Sequence, residues 1–324
     1  MYALITIGDI KLDTFIVLDD ASLQCSLEES HACKLCIEYG AKIPVKDFEP
    51  QIAGSAPNVA VALSRLKLKT AVYSIVGSDP TGMLAYAHLR KEGVRTTYVK
   101  TSRHGRSSYS VVISYKGDRT ILGVLHPRTY RLPRLAATKW LYLSEMGEDF
   151  VSLYDDVAAL HARTQVKIGF NPGAVQIRAG ARKLKPLLKA TAVLFVNREE
   201  GHQLLGKKHS LDTKHLLTAL WKLGPDAVVV TDGSEGAYAF DGGDGWHLPA
   251  FPATVVESTG AGDGFAAGVL AGTMYGKPLA EALRWGAANA ASVVGAVGPT
   301  PGLLTKTQMD RALKRHVHMT ARVL

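Results

Sequence analysis

The stretch that decides the fold is Ala253-Thr-Val-Val-Glu257-Ser-Thr-Gly260-Ala261-Gly262-Asp263-Gly-Phe-Ala-Ala-Gly268. A β-branched strand leads into a turn of small residues, and the turn leads into a helix rich in Ala and Gly. At Gly260 and Gly262 the backbone can approach a ligand closely, with N–H groups that no side chain covers. The positive end of the following helix favours an anion, phosphate above all. We therefore expect a phosphate-binding turn here.

Asp263 is unexpected in such a turn, because a carboxylate repels phosphate. Its presence is explained if the carboxylate accepts a proton from a hydroxyl group that attacks the phosphate. The alternative is an aspartate that only caps the N-terminus of the helix.

Outward from this stretch, strand-like and helix-like runs alternate, which predicts βαβ units and a sheet covered by helices. We predict helices at 57–66 and 81–93, and strands at 4–8, 71–77, 140–143, 166–170, 192–196 and 227–231. Two segments, about 14–50 and 104–126, break this alternation and predict a small sheet that projects as a lid from a single domain, 1–324. A homodimer formed through this lid is one expectation.

Composition excludes several classes of protein. The chain has 324 residues, 47% hydrophobic and 21% charged, which is ordinary globular usage and excludes intrinsic disorder. Apolar runs stay short of the ~18 residues of a membrane span, so no membrane partner is expected. The N-terminus lacks signal-peptide features, which predicts a cytoplasmic protein.

The net charge of +9 suggests an anionic partner. Residues 100–139 hold nine Lys and Arg against one acid, but they lack the regular interleaving of basic and aromatic residues that a nucleic-acid platform shows, and they match no nucleic-acid-binding motif. We interpret this segment as a solvated basic face and do not expect nucleic acid as a partner.

The cysteines are clustered: Cys25, Cys33 and Cys36 lie within twelve residues, with His31 between them. An odd number of cysteines in a cytoplasmic chain argues against disulfides. The four side chains would suit a structural zinc ion, and ordinary reduced thiols are the alternative.

The stretch Glu257–Asp263 resembles the D-T-x-G-A-G-D signature of the PfkB, or ribokinase-like, carbohydrate kinases. Weaker motifs occur in the family's order along nearly the whole chain: Gly8-Asp9-Ile-Lys-Leu-Asp13, Ala53-Gly54-Ser-Ala-Pro-Asn58-Val-Ala60, Val76-Gly77-Ser-Asp-Pro-Thr-Gly82, Asn197-Arg-Glu-Glu200 and Thr231-Asp-Gly233-Ser-Glu-Gly236. The resemblance implies a three-layer α/β/α ribokinase-like fold, with a mainly parallel central sheet and a small β lid. It also implies transfer of the ATP γ-phosphate to a hydroxymethyl group.

The resemblance also assigns roles to residues. Asp263 is the expected general base, with Gly260, Ala261 and Gly262 as the anion hole. The expected acceptor-binding residues are Asp13, Gly54 and Asn58. Asp13 can accept two hydroxyl hydrogen bonds, which suits a polyol, although it could be an ordinary strand-end acid.

For the nucleotide, the resemblance points to Asn197, Thr231, Gly233, Gly236 and Asn289, and to Glu200 as a magnesium ligand through water. Asn197 and Glu200 are three residues apart and share a helix face. The alternatives are helix capping by Asn197, a plain turn at 231–236, and packing of small residues around Asn289. Glu257 replaces the family's usual Asp, so dependence on a monovalent cation is left open.

We expect ribose, a hexose or a ketose as the acceptor. A nucleoside kinase of the adenosine type is an alternative, since Phe15, Tyr39 or Tyr109 could stack a base. A phosphosugar kinase is another, since the basic segment could bring Arg103, Arg106 or Arg119 to a substrate phosphate. A non-catalytic ligand-binding relative is the last alternative, and the intact Asp263 argues against it.

Overall fold

The computed structural model describes residues 1–25, 33–116, 118–206 and 211–324. The strands are β1 (Tyr2–Ile7), β2 (Lys11–Val17), β3 (Ser22–Cys25), β4 (Cys33–Cys36), β5 (Asp47–Ala53), β6 (Thr70–Gly77), β7 (Arg95–Ser102), β8 (Ser108–Tyr115), β9 (Asp118–Val124), β10 (Thr138–Leu143), β11 (Lys167–Phe170), β12 (Val193–Asn197), β13 (Ala227–Thr231), β14 (Ala237–Phe240), β15 (Gly245–Leu248) and β16 (Arg322–Val323). The helices are α1 (Ser55–Arg65), α2 (Pro80–Lys91), α3 (Val151–Thr164), α4 (Ala174–Ala179), α5 (Ala181–Lys189), α6 (Arg198–Leu204), α7 (Thr213–Trp221), α8 (Ala261–Met274), α9 (Leu279–Val293) and α10 (Lys306–Arg315). Within these ranges no helix is long and apolar enough to cross a bilayer.

The larger sheet has the strand order β16-β15-β14-β13-β12-β11-β10-β1-β6-β7 in the described part of the chain. Neighbours from β7 to β13 pair in parallel, and β14, β15 and β16 form an antiparallel edge. The central strands are apolar on both faces, as expected for a parallel sheet covered on both sides. The strands predicted at 4–8, 71–77, 140–143, 166–170, 192–196 and 227–231 are confirmed. The strand predicted just before the motif turn is wrong: residues 253–256 form no strand, and Val255 and Val256 are exposed instead of packing in a sheet.

Helices cover both faces of this sheet. Helices α1, α8 and α9 pack on one face in one apolar cluster, which contains Leu63, Leu270 and Trp285. Helices α3, α5 and α7 belong to the cluster on the other face. The three-layer α/β/α ribokinase-like fold predicted from the sequence is confirmed.

A second sheet has the order β5-β2-β8-β9 and is built from the two segments that break the βαβ alternation. Strands β8 and β9 pair antiparallel. Strands β2 and β8 pair parallel, which joins the two distant segments into one sheet.

The cysteine prediction is wrong. Strands β3 and β4 pair antiparallel in a register that sets Cys25 directly opposite Cys33, with their Cα atoms 4.0 Å apart and their sulfurs bonded as a disulfide. Two of the proposed zinc thiolates are thereby consumed, while Cys36 is a free thiol and His31 lies outside the described residues. Where the structure describes the chain, no group of three or more His, Cys, Asp or Glu is placed to hold a metal ion.

Candidate active site

The motif turn lies at the N-terminus of α8, where Gly260 is the N-cap residue with a left-handed φ of 81°. A Cβ atom on Gly260 would lie 2.4 Å from Cβ of Pro299, so only glycine fits there. A Cβ on Gly262 would meet no atom within 4 Å, so this glycine leaves open space for a ligand. The N–H of Ala261 donates to the carbonyl of Ser258 at 3.2 Å. N–H groups in the first helical turn have no acceptor within the helix, and they can therefore bind an anion.

Asp263 joins this turn to helix α1. Its Oδ2 atom accepts a hydrogen bond from Nδ2 of Asn58 at 2.8 Å, and the side chain of Ser55 also bonds to it. Burial raises the pKa of Asp263, and the charge of Glu145 adds to the rise. The bonds from Asn58 and Ser55 and the charge of Lys11 oppose it. The carboxyl group is thus a stronger base than an exposed aspartate.

The three predicted acceptor residues lie on elements that meet beside Asp263. Asp13 is only 4% exposed, bonds to Ser110, and has an Oδ1 atom without a partner among the described residues. Burial raises the pKa of Asp13, and the charge of Lys11 and the bond from Ser110 lower it. Gly54 has a φ of 118°, and a Cβ there would lie 2.3 Å from the carbonyl oxygen of Asp9. Gly54 thus allows close packing at the start of α1, and Asp13 offers an acceptor for a substrate hydroxyl.

Sequence reasoning missed Lys11 and Glu145, whose Nζ and Oε2 atoms form an ion pair at 3.0 Å. Burial alone would lower the pKa of Lys11, but the charges of Glu145, Asp13 and Asp263 outweigh it and raise the pKa. Two signals were present in the sequence. Lys11 and Asp13 are two apart and share one face of a strand, and Glu145 follows a predicted strand at its carboxyl end.

Asp9 holds the segment that carries Glu145. Its Oδ2 atom accepts hydrogen bonds from the hydroxyl of Tyr130 at 2.6 Å and from the N–H of Gly147 at 3.0 Å. Its own N–H donates to the carbonyl of Glu145 at 3.0 Å. Burial raises the pKa of Asp9 to about 6, against the two hydrogen bonds, which lower it.

A cavity of about 550 Å³ adjoins the motif turn and has a mostly apolar lining. Thr231, Gly233 and Gly236, three of the predicted nucleotide residues, line it together with Ala261 and Gly262. The volume is in the range of small-molecule and cofactor sites. The 231–236 turn and the motif turn therefore border one space.

Asn289 is placed differently from the other predicted nucleotide residues. It is fully buried, its Nδ2 donates to the carbonyl of Gly264 at 2.8 Å, and its Oδ1 accepts from the N–H of Leu304 at 3.0 Å. Helix α9 lines the cavity through Ala287, Ala290 and Ala291, and Val294, just after the helix, lines it as well. Asn289 thus supports the cavity wall from behind, because both ends of its amide are bonded to backbone groups.

Asn197 and Glu200 form a reciprocal cap at the start of α6. Oδ1 of Asn197 accepts from the N–H of Glu200, and Oε2 of Glu200 accepts from the N–H of Asn197, both at 2.8 Å. Burial raises the pKa of Glu200, the hydrogen bond from the N–H of Asn197 lowers it, and the charge of Asp263 raises it further. Asn197 therefore caps helix α6, as the alternative interpretation predicts. The carboxylate of Glu200 takes part in this cap and also interacts with the charge of Asp263.

Glu257, at the start of the motif, is 7% exposed. Its Oε1 atom accepts from the N–H of Thr259 at 2.7 Å, and its Oε2 atom is buried without a hydrogen-bond partner within the described ranges. A buried carboxylate oxygen of this kind is a suitable ligand for a small cation.

The side chains that the sequence offered for binding a nucleoside or a phosphosugar differ in their surroundings. Phe15 is buried, Tyr39 is fully exposed, and the hydroxyl of Tyr109 donates to Thr14 at 2.8 Å. These three aromatic residues therefore do not form one base-stacking platform. Of the arginines, Arg119 bonds to the hydroxyl of Ser258 in the motif turn. Exposed Arg103 and Arg106 lie between β7 and β8.

A parallel sheet covered on both faces, with a glycine turn at a helix N-terminus and a buried carboxylate beside it, is the arrangement expected of an α/β phosphotransferase. The chain belongs to the pfkB family of carbohydrate kinases, since the family's sequence model, described as "pfkB family carbohydrate kinase", matches residues 16–306. It is thus a carbohydrate kinase.

Individual relatives agree with this assignment. A fructokinase from Klebsiella pneumoniae is 30% identical over 285 residues, covering 81% of this chain and 92% of the relative. An ATP-dependent ribose-1-phosphate kinase from Halopiger xanaduensis is 28% identical over 279 residues, covering 79% and 87%. The structure of a ribokinase from Arabidopsis thaliana, complexed with ribose and ATP, superposes with a TM-score of 0.79 at 22% identity, covering 97% of this chain and 99% of that one.

Proposed function

We propose that the protein transfers the γ-phosphate of ATP to a hydroxymethyl group of an uncharged sugar. The observation that carries this proposal is the 2.8 Å hydrogen bond between Asn58 and Asp263. It places the only carboxylate of the α8 first turn next to the residues expected to bind the acceptor. Asp263 directly follows Ala261 and Gly262, which line the nucleotide cavity, and it bonds to Asn58 in the acceptor cleft, the region beside Asp13, Gly54 and Asn58. A base between two bound substrates is what transfer from one to the other needs.

Each site residue has one task in the proposed reaction. Asp263 accepts the proton of the acceptor hydroxyl as its oxygen forms a bond to the γ-phosphorus, and the bond from that phosphorus to the β-phosphate oxygen breaks to release ADP. The backbone around Gly260, Ala261 and Gly262 stabilises the charge on the transferred group. Asp13 orients the acceptor through its unpartnered oxygen.

Charge in the acceptor cleft favours an uncharged acceptor. The ammonium of Lys11 is ion-paired with Glu145, and Asp13 and Asp263 lie close enough to raise its pKa. Three carboxylates around one ammonium would repel an acceptor that already carries a phosphate. Ribose, a hexose or a ketose fits this cleft better than a phosphosugar. Whether a nucleoside serves as the acceptor is decided by the ATP-consumption assay described below.

Two cations complete the proposal. Glu200 would hold magnesium through water, and the fit rests on the mutual effect of the Glu200 and Asp263 charges, which a divalent cation would relieve. When bound, magnesium neutralises charge on the triphosphate. Glu257 would contact a monovalent cation through its unpartnered Oε2 atom.

The second sheet is the proposed lid. Its exposed apolar side chains are the observation on which the predicted homodimer rests. Phe48, Ile121, Leu122 and Val124 lie on its strands, each between 48% and 61% exposed. Packing two such sheets together would remove these side chains from water.

The test is an ATP-consumption assay over neutral sugars, phosphosugars and nucleosides with the wild type, Asp263→Asn and the control Asp155→Asn. Asp155 is an exposed residue of α3. We expect kcat with the best acceptor to fall about 10²- to 10⁴-fold in Asp263→Asn, with little change in KM, because a general base is lost. Equal consumption by the wild type and Asp263→Asn with every acceptor would refute the proposal. A phosphosugar or nucleoside as best acceptor would correct the substrate class.

A further inference from the structure

Arg119 connects the second sheet to the motif turn. It lies in β9, and its Nη1 atom donates to the hydroxyl of Ser258. Ser258 lines the nucleotide cavity together with Ala261 and Gly262. A guanidinium group carried by the second sheet is therefore placed at the end of the cavity where the phosphate-binding turn lies.

A smaller cavity, of about 190 Å³, lies between the second sheet and the motif loop. Arg119 and Lys116 line it from the sheet, and Glu257 and Ser258 line it from the loop. Because Ser258 borders this cavity and also the nucleotide cavity, the two spaces meet at its hydroxyl group. The guanidinium of Arg119, bonded to that hydroxyl, therefore lies where the two spaces meet.

A second contact fixes the sheet on the same side. Nε2 of Gln51, in β5, donates to the carbonyl of Val297 at 3.2 Å. Val297 is two residues before Pro299, which packs against Gly260 of the motif turn. The second sheet is thus held against both loops that shape the anion site.

The electrostatics of the site call for a cation here. The side chains of Glu200, Glu257 and Asp263 are all carboxylates near the turn, and a triphosphate would bring further negative charge. Lys11 is engaged with Glu145 in the acceptor cleft. Guanidinium suits phosphate because its planar N–H groups can donate to two phosphate oxygens at once.

Building on the proposed function, we propose that Arg119 binds the triphosphate of the nucleotide from the second sheet. In the complex its guanidinium exchanges the Ser258 hydroxyl for a phosphate oxygen. Arg119 thereby provides selectivity for a triphosphate over a bare nucleoside and couples the position of the sheet to nucleotide binding.

The experiment measures binding of ATP, with magnesium chloride, and of adenosine to the full chain by isothermal titration calorimetry. We expect Arg119→Gln to weaken ATP binding about 10- to 100-fold, the effect of losing a charged hydrogen bond, and to leave adenosine affinity within about twofold. Arg119→Lys should fall between the wild type and Arg119→Gln, because it keeps the charge and loses the planar fork. Arg311→Gln, an exposed arginine of α10, is the matched control and should bind ATP as the wild type does.

Ser258→Ala separates phosphate binding from simple attachment of the sheet. It removes the same Arg119–Ser258 bond and keeps the cation, so it should lose less ATP affinity than Arg119→Gln. Equal losses in the two variants, equal losses of ATP and adenosine affinity in Arg119→Gln, or unchanged ATP affinity in Arg119→Gln would each overturn the proposal. These measurements need no acceptor, so a wild type that binds ATP but phosphorylates no sugar would refute the proposed function and still decide the role of Arg119.

Discussion

Replacing Asp9 by Asn should remove a pH dependence from the stability of the fold. Asp9 is 5% exposed, and burial raises its pKa from 3.8 to about 6. The native state therefore keeps this proton up to a higher pH than the unfolded state does. Between about pH 4 and pH 6 the unfolded state binds fewer protons, so the contribution of Asp9 to the free energy of unfolding falls as pH rises.

The magnitude follows from the shift of about two pKa units. At about 1.4 kcal/mol per unit, the full shift corresponds to about 3 kcal/mol. Because an unfolded-state carboxyl with a pKa of 3.8 is already more than half ionised at pH 4, about 2.5 kcal/mol of this is lost from pH 4 to pH 7. Asn can still accept from Tyr130 and Gly147 through its carbonyl oxygen, but it does not titrate. Its NH₂ group would take the place of the unpartnered Oδ1 atom, at a cost that does not vary with pH.

The assay is reversible urea unfolding of the wild type, Asp9→Asn and the exposed control Asp155→Asn at pH values from 4 to 8. The free energy of unfolding of Asp9→Asn minus that of the wild type should increase by about 2.5 kcal/mol as pH rises from 4 to 7, whatever the difference between them at pH 4. The curve of Asp155→Asn should run parallel to the wild type. Parallel curves for Asp9→Asn and the wild type would refute the reasoning.

Two further predictions concern the acceptor side of the site. Gly54→Ala should lower the free energy of unfolding by about 3 kcal/mol, because its Cβ would lie 2.3 Å from the carbonyl oxygen of Asp9 at a φ of 118°. Gly180→Ala, with φ 82° and no atom within 4 Å, should cost only about 1 kcal/mol, and similar losses for both in thermal unfolding would contradict the steric argument. Lys11→Met removes a positive charge that lowers the pKa of Asp263, so the acidic limb of the kcat profile, where the base becomes protonated, should move to higher pH. An acidic limb at the wild-type position would show that Lys11 does not act on Asp263.

Features whose causes lie within a few residues were readable from the sequence. The motif turn is formed by the small residues at 260–262 and the helix that follows, so the anion-binding chemistry proposed for it is local. The start of α2 is similar, since Asp79 caps the helix through the N–H of Gly82 at 2.9 Å with Pro80 in its first turn. Apolar runs such as Ala227–Thr231 identify buried parallel strands by themselves.

Features that depend on distant segments were decided by the tertiary structure. Asn58 and Asp263 are 205 residues apart, and Lys11 and Glu145 are 134 apart, so each pair exists only because the sheet brings their elements together. The spacing of Lys11 and Asp13 places both on one face of a strand, but only the folded chain brings the carboxylates of Glu145 and Asp263 to Lys11.

The cysteines show the same division between sequence and structure. The sequence by itself determined the class of the protein, because the α/β alternation and the motif turn are local patterns in correct order. The pairing of Cys25 with Cys33, opposite each other across β3 and β4, depends on strand register. Likewise, the position of Asn289 behind the cavity wall depends on how α9 packs against α8. Register and packing are long-range properties, because a shift of one residue along a strand or of about 100° around a helix changes every neighbour of a side chain.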